Sequence, residues 1–175
     1  IQISPASKNC INIMEIRKVD NSVNELLDGP TLDASALAGK IQRLHIFFSL
    51  LIPDMSHEEK QLLDEALIKT YARKGITHKN ESLTDPQHPE QYKKMPILED
   101  VYNVLLESED TKRLAHILNR LVHGSASSFN QQTNVDLTNK YTVLDISELT
   151  GSSDLLTVGM FVALDYVWDK AKENR

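Results

Sequence analysis

The sequence is poor in the residues that build unusual folds. Its 175 residues include one cysteine, six glycines and six prolines. A lone cysteine excludes an internal disulfide and any multi-cysteine zinc site. Cys10 stands beside Ile11 and Ile13 and reads as a small apolar residue rather than a reactive thiol. So little Gly and Pro excludes a collagen-like or long low-complexity chain. Long hydrophobic runs are missing too. The longest, Leu44 to Ile52, is interrupted by His45 and Ser49, far short of the roughly 20 residues a membrane-spanning helix needs. The N-terminal stretch has neither a basic region nor an apolar core of the signal-peptide kind. Its start at Ile1, without an initiator Met, suggests a piece of a longer chain. Together these absences predict a soluble, cytoplasmic protein without a transmembrane segment.

Charge is present but not of the sign that nucleic acid attracts. The formal net charge is −6, whereas a free-standing nucleic-acid binder carries a basic stripe. No direct nucleic-acid binding is expected from this acidic chain. A domain takes about 100–200 residues, so the length fits one main domain with a real core.

The apolar pattern is mainly helical. Leu37, Ile41, Leu44, Phe48 and Leu51 recur at three- and four-residue steps, which predicts a helix over 33–52 capped by Asp33 and stopped by Pro53. Ser56 and Glu59 form the S-x-x-E capping box of a second helix. Its buried face is Leu62, Leu63, Ala66, Leu67 and Tyr71, and Gly75 closes it in a left-handed conformation. Residues 76–96 hold Pro86, Pro89 and Pro96 and read as a mobile surface loop. Two shorter helices follow. Ile97, Leu98, Val101, Tyr102, Leu105 and Leu106 mark the first. The second is capped by Ser108, has Leu114, Ile117, Leu118, Leu121 and Val122 on its face, and ends at Gly124.

The texture changes after residue 132. Thr133–Leu137 and Tyr141–Ile146 alternate around Asn139-Lys140 and read as a β-hairpin or as two strands of a larger sheet. Ile1–Ile3 reads as a short strand. The last helix, 154–172, carries Leu155, Val158, Phe161, Val162, Leu164, Tyr166, Val167 and Trp168. So wide an apolar surface suits a helix held between layers.

Catalytic constellations are missing. Gly124-Ser-Ala-Ser-Ser128 lacks the second Gly and the Lys-Ser/Thr of a phosphate loop. No apolar strand ends in the Asp-Glu pair that would hold magnesium. His57-Glu58-Glu59-Lys60-Gln61 begins like the zinc motif H-E-x-x-H, but Gln61 replaces its second His. His116 and His123 lie two turns apart with no third ligand. No Gly-x-Ser-x-Gly elbow is present. Arg113, Arg120 and Arg175 are the arginines best able to reach a phosphate across a subunit interface, although an ordinary surface ion pair explains each. The chain itself is therefore assigned no catalytic, cofactor-binding or metal-binding residue.

The remaining information is in the linear pattern. The run from Ser128 to Leu149, SFNQQTNVDLTNKYTVLDISEL, resembles a segment of type IV secretion and conjugal-transfer P-loop ATPases. These are the fourth VirB component and its TraE-like relatives of Gram-positive mobile elements. Gly159-Met160, Asp165-Tyr-Val-Trp168 and Glu173-Asn-Arg175 look like its continuation. Ile1-Gln-Ile-Ser-Pro5 and Ile11-Asn-Ile-Met-Glu-Ile16 are similar to the stretch after the second core strand, with Ile13 where that family often has Pro. Over 33–122 only helix order and lengths agree.

The resemblance implies a mainly α chain: a bundle-like helical insertion with short flanking β-strands from a RecA-like α/β core. Residues 1–32 and 124–175 would belong to that core and 33–123 to the insertion. The phosphate loop would precede Ile1 and the magnesium-binding acids follow Arg175, so ATP and Mg would belong to the parent alone. The parent would be a hexameric motor at the inner face of the membrane, driving channel assembly and DNA export. Its partners would be neighbouring subunits and other secretion components. The rival reading is a self-contained helical protein–protein interaction module.

Overall fold

A computed structural model describes residues 1–2, 8–17, 35–135, 143–151 and 153–173. Among them are five α-helices: α1 (Ala36–Leu51), α2 (His57–Arg73), α3 (Leu98–Leu105), α4 (Lys112–Val122) and α5 (Ser153–Glu173). The chain is mainly helical, as the periodicity predicts. Strand structure among the described residues amounts to two isolated bridges, a parallel one between Gln2 and Asp145 and an antiparallel one between Thr84 and Tyr92.

Local signals place most helix ends. At α2 the capping box is complete: Ser56 Oγ accepts from the Glu59 N–H at 3.1 Å, and a Glu59 carboxylate oxygen accepts from the Ser56 N–H at 2.9 Å. Gly75 follows with φ +70°, where a side chain would be strained. At α1 the expectation needs correction. The helix begins at Ala36, and Ser35, not Asp33, accepts from the Ala38 N–H at 3.2 Å. Asp33 lies outside the described residues. Ser108 caps a 3-10 turn, Glu109–Thr111, which leads into α4. At α3 the Asp100 carboxylate accepts from the Ile97 N–H at 2.8 Å.

The long connection after α2 is built rather than featureless. A 3-10 turn, Asn80–Leu83, precedes the Thr84–Tyr92 bridge. Lys93 N–H donates to Leu83 carbonyl at 2.8 Å, and Ile76, Leu83 and Met95 are buried. Those apolar side chains join residues 76–96 to the hydrophobic core of the helices.

The helices pack in sequence order through α4, as consecutive elements usually do. Helix α2 packs on α1 and α3, and α3 on α4. Helix α5 then returns to lie on α1 and on the 3-10 turn Ser147–Gly151. One hydrophobic cluster runs from Ile11 to Tyr166 and includes Phe47, Phe48, Leu67, Tyr71, Val101, Leu118 and Val158. The terminal stretches therefore share their core with the helices between them. The turn of the expected hairpin lies outside the described residues. Asp145, on its second arm, pairs with Gln2 in parallel.

Candidate functional site

Three features converge where the two ends of the chain meet, and none rests on a local motif. The first is a polar clasp around Asn12, which is fully buried. Its side-chain amide donates to the Pro96 carbonyl at 2.9 Å and to Gln132 Oε1 at 3.3 Å, and its Oδ1 accepts from the Met14 N–H at 3.0 Å. The Asn12 N–H donates to Thr133 Oγ1 at 2.9 Å. Two residues earlier, Cys10 N–H donates to Asn134 Oδ1 at 2.7 Å, and Asn134 N–H donates back to the Cys10 carbonyl at 3.1 Å. The bonds to residues 132–134 join the two ends of the chain, more than a hundred residues apart. Glu15 N–H closes a turn onto the Asn12 carbonyl at 3.1 Å, and Ile13 is buried. The Cys10 thiol is buried, and burial pushes its pKa up, so it is a poor nucleophile.

The second feature is a buried cluster of charge between α1 and α5. Lys40 and Arg43 are one turn apart on α1, as are Asp165 and Asp169 on α5. Arg43 Nη1 reaches Asp165 at 2.9 Å and Asp169 at 2.7 Å. Lys40 Nζ lies 3.4 Å from Asp165 and donates to the Ile13 carbonyl at 3.1 Å. Arg17 comes from the segment before α1; it pairs with Asp169 at 3.1 Å and with Glu15 at 3.2 Å, and its guanidinium lies 4.2 Å from the centre of the Tyr166 ring. Thr133 donates to Glu15 at 2.6 Å, which ties this cluster to the Asn12 clasp. Lys40 is 1% exposed. Desolvation brings its pKa down to about 8 against the opposing pull of Asp165. A buried pair of this kind fixes geometry, and losing one partner costs about 3–5 kcal/mol.

The third feature is the outer face of α5. Its inner side chains, Leu155, Val158, Val162 and Tyr166, are buried, but Leu164 and Trp168 are 64% and 63% exposed, and Met160 and Val167 are also exposed. The wide apolar surface thus divides into a core face and a solvent face. Leu144 and Ile146, either side of the bridged Asp145, join Met160, Ala163, Leu164 and Val167 around an apolar groove of about 180 Å³. A wider cleft of about 550 Å³ opens beside the charged cluster, between Glu15, Arg17, Tyr92, Lys94, Gln132 and Lys170.

The candidates singled out in the sequence lie elsewhere. Arg113 bonds Glu59 at 2.7 Å and Asp54 at 2.6 Å, and Arg120 bonds Asp154 at 2.7 Å. Both are surface ion pairs. Arg175 is outside the described residues. Glu59 serves the capping box. The His123 ring stands edge-on to Tyr102 at 5.2 Å, and its Nε2 is 4.0 Å from Glu99. Among the described residues no group of three or more His, Cys, Asp or Glu is placed to hold a metal ion. None of their helices is long and apolar enough to cross a membrane.

No protein-family model matches the chain, and no curated protein matches it in sequence. Its structure is similar to that of VirB4 of Thermoanaerobacter pseudethanolicus, with a TM-score of 0.76 and 24% sequence identity. The match covers 97% of this chain but only 60% of that one. Over nearly its whole length, then, this chain has the fold of a segment of that VirB4.

Proposed function

We propose that the chain is an internal segment of a VirB4-like ATPase of type IV secretion, lying between the phosphate loop and the magnesium-binding acids. The observation that carries this reading is the fold shared with VirB4 across 97% of the chain, against 60% of the longer relative. Two features support it. The parallel bridge between Gln2 and Asp145 stands beside an exposed apolar helix face, and parallel strands are normally covered on both faces. The stretches that resemble the ATPase in sequence are also the ones joined by the Asn12 clasp.

On this reading residues 1–32 and 124–175 belong to the ATPase core, and 33–123 form the helical insertion. ATP and magnesium are held by residues outside the chain, so the segment positions other parts rather than doing chemistry. The parent motor, working as a hexamer at the inner face of the membrane, powers channel assembly and the export of DNA in conjugation by mobile elements. Exposed helix faces of the insertion meet neighbouring subunits or other secretion components.

The flanking coding sequence tests this. It should supply a GxxxxGK[ST] loop before Ile1 and an acidic pair after Arg175. The longer product should hydrolyse ATP, while the 175-residue protein should show only background turnover. An open reading frame ending at these boundaries, or turnover that survives purification of the short protein, would overturn the proposal. Complete boundaries would instead favour a self-contained interaction module, the reading to which the continuous core from Ile11 to Tyr166 lends weight.

A further inference from the structure

Helix α5 is attached in two chemically different ways. Toward its N-terminal half the contacts are apolar: Leu155, Val158 and Val162 are buried, and Gly159 lets the helix backbone approach Leu149 and Phe129. A Cβ at position 159 would stand 2.2 Å from Leu149 Cδ1. After Tyr166 the buried side chain is a charged one, Asp169, held by Arg43 and Arg17. The main packing partners of α5 are α1 and the 3-10 turn Ser147–Gly151, and Arg120 of α4 bonds Asp154 at its start at 2.7 Å.

We propose that the charged cluster is a latch, and that α5 swings away from α1 as a unit, pivoting near Gly159, while α2–α4 stay folded. The groups facing one another across it are Lys40 and Arg43 from α1, Glu15 and Arg17 from the preceding segment, Asp165 and Asp169 from α5, and Tyr71 from α2, close enough to feel the Arg43 charge. The side chain of Arg43 is 33% exposed, so water enters at that residue and can replace its bonds as the latch opens. Opening hydrates charges that the closed state desolvates, which offsets part of the cost of uncovering Val162, Ala163 and Tyr166. The outer face of α5 bears Leu164, Val167 and Trp168, so the helix is already apolar on the side toward which it would move. Motion at that face would reach the helical region through α1, the helix that carries both Lys40 and Arg43. The latch depends only on packing within these 175 residues, so it stands or falls separately from the secretion reading.

Hydrogen exchange followed by mass spectrometry on the 175-residue protein is the test, comparing wild type with Asp169→Asn and Arg43→Gln. Amides of 160–171 should exchange at least about tenfold faster in both variants, as expected when a buried charge pair loses one member. In the wild type and in each variant, amides of α2 and α4 should stay better protected than those of 160–171. Equal protection in every helix, or no acceleration in α5, would overturn the latch. Should a variant fail to fold, exchange of the wild-type protein in low urea decides. A shallower urea dependence for 160–171 than for α2 supports a separate opening, and a common slope for both removes it.

Discussion

Arg43 Nη1 lies 2.7 Å from Asp169 Oδ1 and 2.9 Å from Asp165 Oδ1, so one guanidinium spans two carboxylates a helical turn apart. The bridge sets both the rotation of α5 about its axis and its position along α1. Replacing Asp169 with Ala removes the carboxylate that Arg17 and Arg43 share, leaving Arg17 with Glu15 and Arg43 with Asp165. The expected cost is about 3 kcal/mol of unfolding free energy, read as a lower urea midpoint. A change below about 0.5 kcal/mol would mean that the apolar contacts alone hold α5.

Lys40 gives the site a distinctive pH dependence. Its pKa is about 8 in the folded protein and 10.5 without burial, so the folded state gives up this proton first. Unfolding then takes up a proton between the two values, and raising the pH favours the folded state. Tyr71 acts in the opposite direction above its ordinary value near 10, because burial raises its pKa. The usable window is therefore pH 8 to 10. There the wild type should gain about 1 kcal/mol per pH unit relative to Lys40→Met, measured by urea unfolding at several pH values. Parallel pH profiles would show that Lys40 is already neutral at pH 8 or is not desolvated.

Gly159 is required by its contact with Leu149. Gly159→Ala should destabilise by about 1–3 kcal/mol through overpacking against buried Leu149. Adding Leu149→Ala should recover part of that loss, since it removes the colliding Cδ1. Thermal melts of the four members of the cycle measure the coupling, and strictly additive effects would contradict the contact.

The capping box at α2 offers a simpler measurement. Ser56→Ala should cost about 1 kcal/mol. Glu59 also pairs with Arg113, so Glu59→Gln loses the charge of that pair while keeping an acceptor for the Ser56 N–H. Its pKa is lowered first by the bond from the Ser56 backbone and then by Arg113. The cap therefore contributes most when Glu59 is ionised, and its stabilising effect is lost as the pH falls through the folded-state pKa. Chemical denaturation of both variants at neutral and acid pH checks the sign.

Local features were legible in the sequence because short-range physics decides them. Ser56, Glu59 and Gly75 act within a few residues of where they stand, and the structure uses all three as read. Ser35 and Asp33 are comparable caps two residues apart, so the start of α1 turned on packing that spacing does not encode. The core side of α5 was legible in Leu155, Val158 and Val162, but the division of its apolar surface into inner and outer faces was not. That division depends on α1, more than a hundred residues away. The charged cluster does have a signal in the sequence: Lys40 sits inside the stripe of Leu37, Ile41 and Leu44, and Asp165 inside that of Val158 and Val162. A charge within an apolar stripe calls for a buried partner. Asn12 had no such signal, since its partners Pro96, Gln132 and Thr133 are brought to it by the fold alone.

Cys10 and Asn134 exchange hydrogen bonds at 2.7 and 3.1 Å, so the chain leaves and re-enters at one doorway. Everything between them is a closed excursion. Parts of it away from the shared core could be lengthened or decorated without displacing either doorpost, provided that α1 still presents Lys40 and Arg43 to α5 and Pro96 still offers its carbonyl to Asn12. Related chains would then be free to diverge in the excursion while keeping the doorway, which makes this stretch a natural place for one scaffold to acquire different attachments.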